Sequence, residues 1–141
     1  MTPAPRYLLD TDICVYYLND RYPTLSDRID RIPLHQLSIS SITVAELYFG
    51  AFNSKRIEAN CRLVEGFLSR LPILDLDPST GRIFGKIKAQ LRRQGTPVAD
   101  SDLLIAATAL AKDLILVSNN ERHFQRIQNL SLENWKTAAE A

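Results

Sequence analysis

The sequence predicts an α/β domain with a parallel β-sheet, because short apolar segments alternate with longer segments of helical periodicity along the chain. The chain has 141 residues, of which 45% are hydrophobic and 23% charged, as in an ordinary globular domain with one core. No internal repeat, low-complexity tract or linker divides it. We therefore expect a single domain over residues 1–141.

Four short segments rich in leucine and β-branched residues have the pattern of buried strands. They cover residues 7–9, 37–39, 73–76 and 114–117. The clearest helix lies between the third and fourth of these strands, with Asp77 as its N-cap, Pro78 as its first residue and Gly95 as its end. Its predicted apolar face consists of Ile83, Ile87 and Leu91.

Two further helices are predicted from apolar spacing. Residues 57–71 carry apolar side chains at core positions, and the segment LLIAATALA at residues 103–111 is apolar on nearly every side, as expected between a sheet and a neighbouring helix. This longest apolar run is far shorter than the ~20 residues that a membrane-spanning helix needs. No signal-peptide core follows Arg6. We expect a cytoplasmic protein that is neither exported nor membrane-spanning.

Charge and cysteine usage exclude several classes of site. The formal net charge of +1 gives no overall field toward a polyanion, so any nucleic-acid affinity must come from local clusters of Lys and Arg. Cys14 and Cys61 form no CxxC pair, and His35 and His123 are isolated. The sequence therefore offers neither a disulfide framework nor a zinc site.

Polar residues follow each predicted strand, where the carboxyl ends of parallel strands meet at one edge of the sheet. In chain order these are Asp10 and Asp12, then Ser40 and Ser41, then Asp77, and finally residues 118–120. Glu46 lies one to two turns into the helix after the second strand, and Asp100 and Asp102 open the apolar helix. Side chains distant in sequence are thus expected to meet at this edge.

Helix capping explains part of this pattern. Asp77 and Ser41 are interpreted as N-caps, and either Asp100 or Asp102 could cap the apolar helix, but hardly both. Glu46 has a capping role only if Thr43 begins its helix in a capping box, TVAE. Capping therefore leaves at least one carboxylate without an explanation.

Carboxylates gathered at one edge need a cation to offset their repulsion. At ~5 Å and an effective dielectric of about 20, each pair repels by roughly 3 kcal/mol, whereas a cap contributes ~1 kcal/mol. Oxygen ligands without paired histidines or thiolates select Mg²⁺ or Mn²⁺. Such an ion is suited to the hydrolysis of phosphodiesters.

Four sequence blocks resemble the PIN-domain ribonucleases, and specifically the VapC toxins of bacterial VapBC toxin–antitoxin pairs. The blocks are YLLDTDICVYYL at 7–18, SSITVAELYFGA at 40–51, GKIKAQLRRQGTPVADSDLLIAATALA at 85–111 and LILVSNNERHFQRI at 114–127. Their order and spacing make the resemblance specific. It implies a PIN-like, three-layer α/β/α domain whose central, mostly parallel sheet has four to five strands.

The resemblance also implies roles for individual residues. It places the acidic metal ligands, which are the catalytic carboxylates, at Asp10, Glu46 and Asp102. Thr11, Asp12 and Ser41 take supporting positions beside them. The fourth ligand is open, because His123 stands where the family often has an acid. Asn120 is the matched polar residue at this place, and Asp100 or Glu121 could supply an extra negative charge.

Further implications of the resemblance concern partners. It implies a homodimer, cleavage of a structured RNA such as tRNA, and inhibition by a VapB antitoxin that covers the acidic pocket. Tyr16, Tyr17, Tyr48 and Phe52 are compatible with such a covered surface or with ordinary core packing.

An RNA substrate needs basic side chains outside the acidic pocket. Residues 78–99 contain no Asp or Glu but include Arg82, Lys86, Lys88, Arg92 and Arg93. This pattern is typical of a solvated helix face and equally fits RNA contact. Lys55, Arg56 and Arg62 form a second, sparser group.

Two alternatives from other classes are open at this point. A haloacid-dehalogenase-type phosphatase would use Asp10 as nucleophile and Asp12 as acid, but it leaves Glu46 without a role and lacks a Lys motif. A non-catalytic module would be a receiver-like domain or an inactive PIN domain. A receiver needs a Lys where this chain has Ser118 and Asn119.

Overall fold

The central sheet has five strands, all parallel, in the order β3-β2-β1-β4-β5. It is seen in a computed structural model that describes residues 5–136. The strands are β1 (Tyr7–Leu9), β2 (Leu37–Ser40), β3 (Ile73–Leu74), β4 (Ile115–Val117) and β5 (Leu132–Glu133). This arrangement confirms the predicted α/β fold with a parallel sheet.

Seven α-helices connect the strands within residues 5–136, with one 3₁₀ turn at Leu34–Gln36. They are α1 (Thr11–Leu18), α2 (Pro23–Arg31), α3 (Ser41–Phe52), α4 (Ile57–Leu68), α5 (Pro78–Gln94), α6 (Asp100–Ala111) and α7 (Glu121–Phe124). Buried side chains of α1 to α4 pack in one core cluster, and those of α5 to α7 pack in another. The sheet lies between the two clusters, as a three-layer α/β/α sandwich.

The pleat of β1 explains the two layers. Successive side chains of a strand point to opposite faces, so Tyr7 and Leu9 enter the core under α1 to α4 while Leu8 enters the core under α6. Strand β4 repeats the division with Val117 and Leu116. Both central strands are buried on two faces, which is why they are short apolar runs rather than alternating ones.

Helices α5 and α6 are antiparallel neighbours, as two ion pairs between them show. The Lys112 Nζ after α6 lies 2.7 Å from Asp77 Oδ2 before α5, and Lys88 Nζ lies 2.9 Å from Asp100 Oδ1 at the start of α6. The carboxyl half of α5 therefore lies beside the first turn of α6. Gly95 ends α5 in the left-handed conformation, at a φ of 72°, where a residue without Cβ is favoured.

Several element boundaries differ from the prediction. The third strand ends at Leu74 rather than at residue 76, and α4 ends at Leu68 rather than at residue 71. Five strands agree with the four to five that the resemblance implies. The position of β5 was not predicted, because a two-residue strand leaves no apolar run in the sequence. The strand is nevertheless tied to β4 through Leu116 and Val117.

The capping predictions hold for one helix and fail for two. Asp77 caps α5 as predicted, because its side chain accepts from Thr80 N. Helix α3 is capped by Ser40, so Ser41 as cap is wrong, as is the capping box beginning at Thr43. Helix α6 begins after Ala99 without a side-chain cap, so neither acidic residue of its first turn is used in this way.

Membrane insertion by a helix finds no support in the described part of the chain. None of the helices between residues 5 and 136 is both long enough and apolar enough to span a bilayer.

Candidate active site at the carboxyl edge of the sheet

The carboxyl ends of β2, β1 and β4 lie side by side and bring their polar residues together. Asp10 follows β1 and its backbone N–H donates to Val117 O at 2.9 Å, which extends the pairing with β4. Ser40 ends β2, and Ser118 follows β4. The sheet order places β1 between these neighbours. Asp10 is therefore the centre of the group.

The carboxylate of Asp10 is buried and fully engaged. Its residue is 5% exposed, and its Oδ1 accepts from Thr11 N at 2.8 Å. Its Oδ2 accepts from the hydroxyl of Ser118 at 2.7 Å. Ser118 is itself held, because its Oγ accepts from the backbone N–H of Asn120 at 2.9 Å. These contacts fix Asp10 at the junction of β1, α1 and the loop after β4.

Burial raises the pKa of Asp10 to about 7, and the like charges of Asp12 and Asp102 act in the same direction. The hydrogen bonds from Ser118 and Thr11 oppose this rise. The pKa of Asp12 is also raised, again chiefly by burial, with Asp102 contributing. The ionised forms of Asp10 and Asp12 are thus unfavourable unless a positive charge lies beside them.

Thr11 joins Glu46 to this group. The Thr11 hydroxyl donates to Glu46 Oε1 at 2.6 Å, and its Oγ1 lies 3.0 Å from Oγ1 of the fully buried Thr43. Glu46 stands on α3, which begins at the end of β2, so the contact joins two neighbouring strand ends. The site-supporting position expected of Thr11 corresponds to a direct contact.

Asp12 lies in the first turn of α1 and fastens the loop after β4. Its Oδ1 accepts from Ile13 N at 2.7 Å, and its Oδ2 accepts from Asn119 N at 3.0 Å. The side chain of Asn119 in turn contacts the Tyr16 hydroxyl and Asn134. Because both oxygens of Asp12 accept backbone N–H groups, the residue positions the loop beside Asp10.

Asp102 approaches the group from α6. Its Oδ2 lies 3.6 Å from Nδ1 of His123, and that nitrogen lies 2.9 Å from Nδ2 of Asn120. Asn120 and His123 therefore meet beside Asp102, at the position of the fourth ligand that the family resemblance leaves open. Asp100 is exposed and paired with Lys88 instead, so the structure does not bring it to Asp10. Glu121 is within 3.4 Å of Asn134.

The acidic side chains are arranged as a loose group. Between residues 5 and 136, no three Asp, Glu, His or Cys side chains converge tightly enough to form a ready-made metal cage. Asp10, Asp12 and Glu46 each accept hydrogen bonds from neighbouring N–H or O–H groups. The negative charges of Asp12 and Asp102 nevertheless raise the pKa of Asp10. The donor set is composed of oxygen atoms, which is the set that hard cations prefer.

The predicted basic residues are exposed, but they occupy different parts of α5. Arg82 and Lys86 lie in its first half, whereas Arg92 and Arg93 lie in its last turn. Since α5 and α6 are antiparallel, the second half of α5 lies beside the start of α6, and Arg82 lies near the other end. A rise of about 1.5 Å per residue makes Arg82 the most remote from Asp102.

The four aromatic residues considered for a covered surface divide into two groups. Tyr16, Tyr17 and Tyr48 are half-buried against the core under α1 to α4. Phe52 is 63% exposed, and its neighbour Phe49, which sequence analysis did not single out, is 70% exposed. The exposed aromatic surface is therefore on α3.

Ser118 and Asn119 follow the last predicted strand, but their contacts with the carboxylates were not predicted. The roles of Thr43 and Asn134 in the network were not predicted either. The polar run at residues 118–120 was a usable signal for the first two, because it stands at the end of a central strand. Thr43 and Asn134 give no signal in sequence, since their contacts join distant segments.

Comparison with known proteins identifies the fold over most of the chain. A family model described as the PIN domain matches residues 7–130. Ribonuclease VapC2 of Haemophilus influenzae is 45% identical over 130 residues, which cover 92% of this chain and 98% of the relative. The tRNA(fMet)-specific endonuclease VapC of Shigella flexneri is 38% identical, with the same coverage of 92% and 98%.

Solved structures of similar proteins have the same fold as this chain. A crystal structure of DNA-bound VapBC from Salmonella typhimurium matches with a TM-score of 0.88 at 38% identity, covering 93% of this chain and 98% of that chain. These matches confirm the PIN-like expectation and set aside the phosphatase and receiver alternatives. The chain belongs to the PIN-domain family and, within it, to the VapC ribonucleases.

Proposed function

We propose that this protein is a metal-dependent endoribonuclease toxin that hydrolyses phosphodiester bonds in a structured RNA, such as tRNA. The observation that carries the proposal is the juxtaposition of a buried Asp10, held among like charges, with Glu46 and Asp102 at one edge of the sheet. The relatives named as ribonucleases and as a tRNA(fMet)-specific endonuclease support the substrate class.

The donor chemistry fits a divalent cation. Burial and neighbouring negative charge raise the pKa of Asp10, which is the condition that a bound cation relieves. Oxygen donors without histidine pairs or thiolates favour Mg²⁺, with Mn²⁺ as the alternative. Asp10, Glu46 and Asp102 would hold the ion, and Asn120 beside Asp102 is the proposed fourth ligand. When bound, it supplies positive charge at the scissile phosphate and promotes ionisation of the attacking water.

The protein's own contribution is to hold these oxygens in place. Ser118 and the Thr11 N–H fix Asp10, and the Thr11 hydroxyl fixes Glu46. Asp12 holds the loop after β4 against α1, and this contact fixes the position of the backbone that carries Ser118 and Asn120. Asp102 approaches from α6, where its Oδ2 lies 3.6 Å from Nδ1 of His123. Such supporting contacts set the position and basicity of a ligand.

Partners and location belong to the same proposal. A VapB-type antitoxin would neutralise the toxin by covering the acidic pocket. VapBC complexes from Salmonella typhimurium, Rickettsia felis and Haemophilus influenzae, at 35–38% identity, support this partner. A homodimer, a cytoplasmic location and one domain over residues 1–141 complete the proposal, and each stays a prediction.

Cleavage of folded total tRNA tests the proposed function. We expect purified, antitoxin-free protein to produce discrete fragments with Mg²⁺ and none with EDTA, and we expect its antitoxin to suppress the fragments. Mn²⁺ should substitute, because it accepts the same oxygen ligands. Protein that is shown to be folded yet cleaves neither tRNA nor rRNA would favour the inactive PIN alternative.

The Thr11 contact makes a separate prediction. Thr11→Val keeps the shape of the side chain but removes the donor to Glu46, so kcat/KM for RNA cleavage should fall about 10-fold, within the range for residues that support a metal ligand. Thr24→Val is the matched control, because Thr24 is exposed near the start of α2. Equal activity of both variants would show that Glu46 does not depend on Thr11.

A further inference from the structure

A second concave surface lies outside the acidic group, between α5 and the chain that follows α7. It encloses about 310 Å³. Its rim carries two cations and four amide side chains, and its floor is apolar. The rim residues, which we call the α5 tract, are Lys86, Gln90, Gln94, Arg126, Gln128 and Asn129.

The α5 tract is free of carboxylates on both walls. Residues 78–99 contain no Asp or Glu, and neither do residues 122–132. Lys86 and Arg126 are exposed, and no carboxylate of residues 5–136 pairs with either of them, in contrast to Lys88. The two walls are distant in sequence, so only the fold makes one cationic surface of them.

One end of the α5 tract lies close to the candidate active site. The Arg126 guanidinium donates to Pro97 O at 3.1 Å, in the loop that leads into α6. Arg126 also follows His123, which contacts Asp102, by three residues. From Gln94 the cleft extends along α5 toward Ile83 for eleven residues, which is about 16 Å at 1.5 Å per residue.

We propose that the α5 tract binds the sugar–phosphate backbone of the RNA substrate on the side of the molecule next to the reacting phosphate. This inference rests on the proposed function and names the surface that holds the substrate. Lys86 and Arg126 would contact phosphates, while the amides are able to donate to phosphate oxygens and to exchange hydrogen bonds with 2′-hydroxyls.

The lining favours a nucleic acid over a protein partner. The rim has amides and unpaired cations and no exposed aromatic side chain, whereas protein interfaces are enriched in aromatic residues. The exposed aromatics of this chain, Phe49 and Phe52, are on α3 in the opposite layer. The two surfaces therefore have different chemistry.

The test compares two double variants that each lose two positive charges. Lys86→Gln with Arg126→Gln changes the α5 tract, and Arg31→Gln with Arg70→Gln is the control among exposed residues of the other layer. Arg126→Gln also removes the bond to Pro97, so the single variant Lys86→Glu is measured as well. Thermal melts establish that every variant is folded.

Binding of a fluorescent tRNA is measured in EDTA, which prevents metal-dependent cleavage, at salt concentrations between about 50 and 200 mM. For the α5-tract variant we expect Kd to rise about 10- to 50-fold and the slope of log K against log salt to fall by about 1.5. With Mg²⁺, KM should rise while kcat stays within about twofold. Lys86→Glu should weaken binding in the same direction, and the control should show smaller changes.

The outcomes separate this inference from the proposed function. If the wild type cleaves RNA and the α5-tract variant binds and cleaves like the control, RNA binding by the tract is wrong and the nuclease function is supported. If RNA binding depends on the tract but no RNA is cleaved, RNA binding by the tract is supported and the nuclease function is not. If the wild type binds no RNA, or if the variant changes oligomeric state at unaltered RNA affinity, the inference is wrong.

Discussion

We expect Asp102→Asn to lower kcat/KM for RNA cleavage by roughly 10²–10³-fold, equivalent to about 3–4 kcal/mol of transition-state stabilisation. The substitution removes one negative charge from the proposed ion site at nearly unchanged volume. The fold should survive, because Asp102 caps no helix and its carboxylate raises the pKa of Asp10 rather than stabilising a partner. Initial rates on tRNA, with circular dichroism of both proteins, provide the measurement.

Asp100→Asn is the matched control for this variant. Asp100 lies in the same first turn of α6, so its substitution has a similar effect on the interaction with the helix dipole, of about 0.3–1 kcal/mol. It also loses the ion pair with Lys88, yet it does not touch the acidic group. Cleavage by Asp100→Asn should stay within about twofold of wild type. Equal loss in both variants would assign the effect to the start of α6 and not to a metal ligand.

The layers of the fold could be predicted because burial leaves a direct pattern in the sequence. The central strands are apolar on both faces, and α6 is apolar all round, so their positions between layers follow from composition. Strand β5 could not be predicted from local sequence. Its two residues pair through backbone groups with β4, and such bonds do not require a particular side chain.

The candidate site was predictable in its location but not in its contacts. Strand ends place Asp10 and Ser118 at one edge whatever their rotamers are. The distinction between Asp100 and Asp102 depends on a helix turn: residues two apart in a helix face different directions, so one meets Lys88 and the other meets His123. The spacing of Asp100 and Asp102 alone does not predict which of them lies beside Lys88 and which lies beside His123.

The hydrogen bonds around Thr11 and Asp12 could not be predicted from the sequence either. Thr11 and Glu46 are 35 residues apart and Asp12 and Asn119 are 107 apart, yet both pairs are hydrogen-bonded. In sequence each of these residues has a sufficient local explanation, as a first-turn or strand-end residue. Only the adjacency of β1 with β2 and with β4 makes the contacts, and that adjacency is a property of the sheet order.

We expect Mg²⁺ to stabilise the wild type and Asp10→Asn to stabilise the metal-free protein. At a concentration about 100 times its Kd, a cation that binds only the folded state raises the free energy of unfolding by about 2.7 kcal/mol. Asp10→Asn removes a buried charge that Asp12 and Asp102 repel, so at pH 8 without metal it should be more stable than wild type by roughly 1–3 kcal/mol. The Asn side chain keeps an oxygen for the Thr11 N–H.

The raised pKa of Asp10 determines how the stability of the metal-free protein changes with pH. The pKa of Asp10 is raised to about 7 in the folded protein from its ordinary value of 3.8, so the folded state binds a proton that the unfolded state has already lost. The resulting destabilisation is absent below pH 3.8, grows between these values and is complete above pH 7. The advantage of Asp10→Asn should therefore be large at pH 8 and small near pH 4.5, measured by urea unfolding in EDTA.

Asp27→Asn on the exposed face of α2 is the control, because it removes an Asp charge outside the acidic group. It should show neither the pH-dependent gain nor a reduced response to Mg²⁺. The two effects of the Asp10 charge have opposite signs, because the carboxylate that destabilises the metal-free protein is the one proposed to bind the ion. If Mg²⁺ stabilised Asp10→Asn as much as wild type, Asp10 would not be a ligand. If Asp10→Asn were less stable at pH 8, the hydrogen bonds to Ser118 and Thr11 would outweigh the repulsion, and the acidic group would be a structural network.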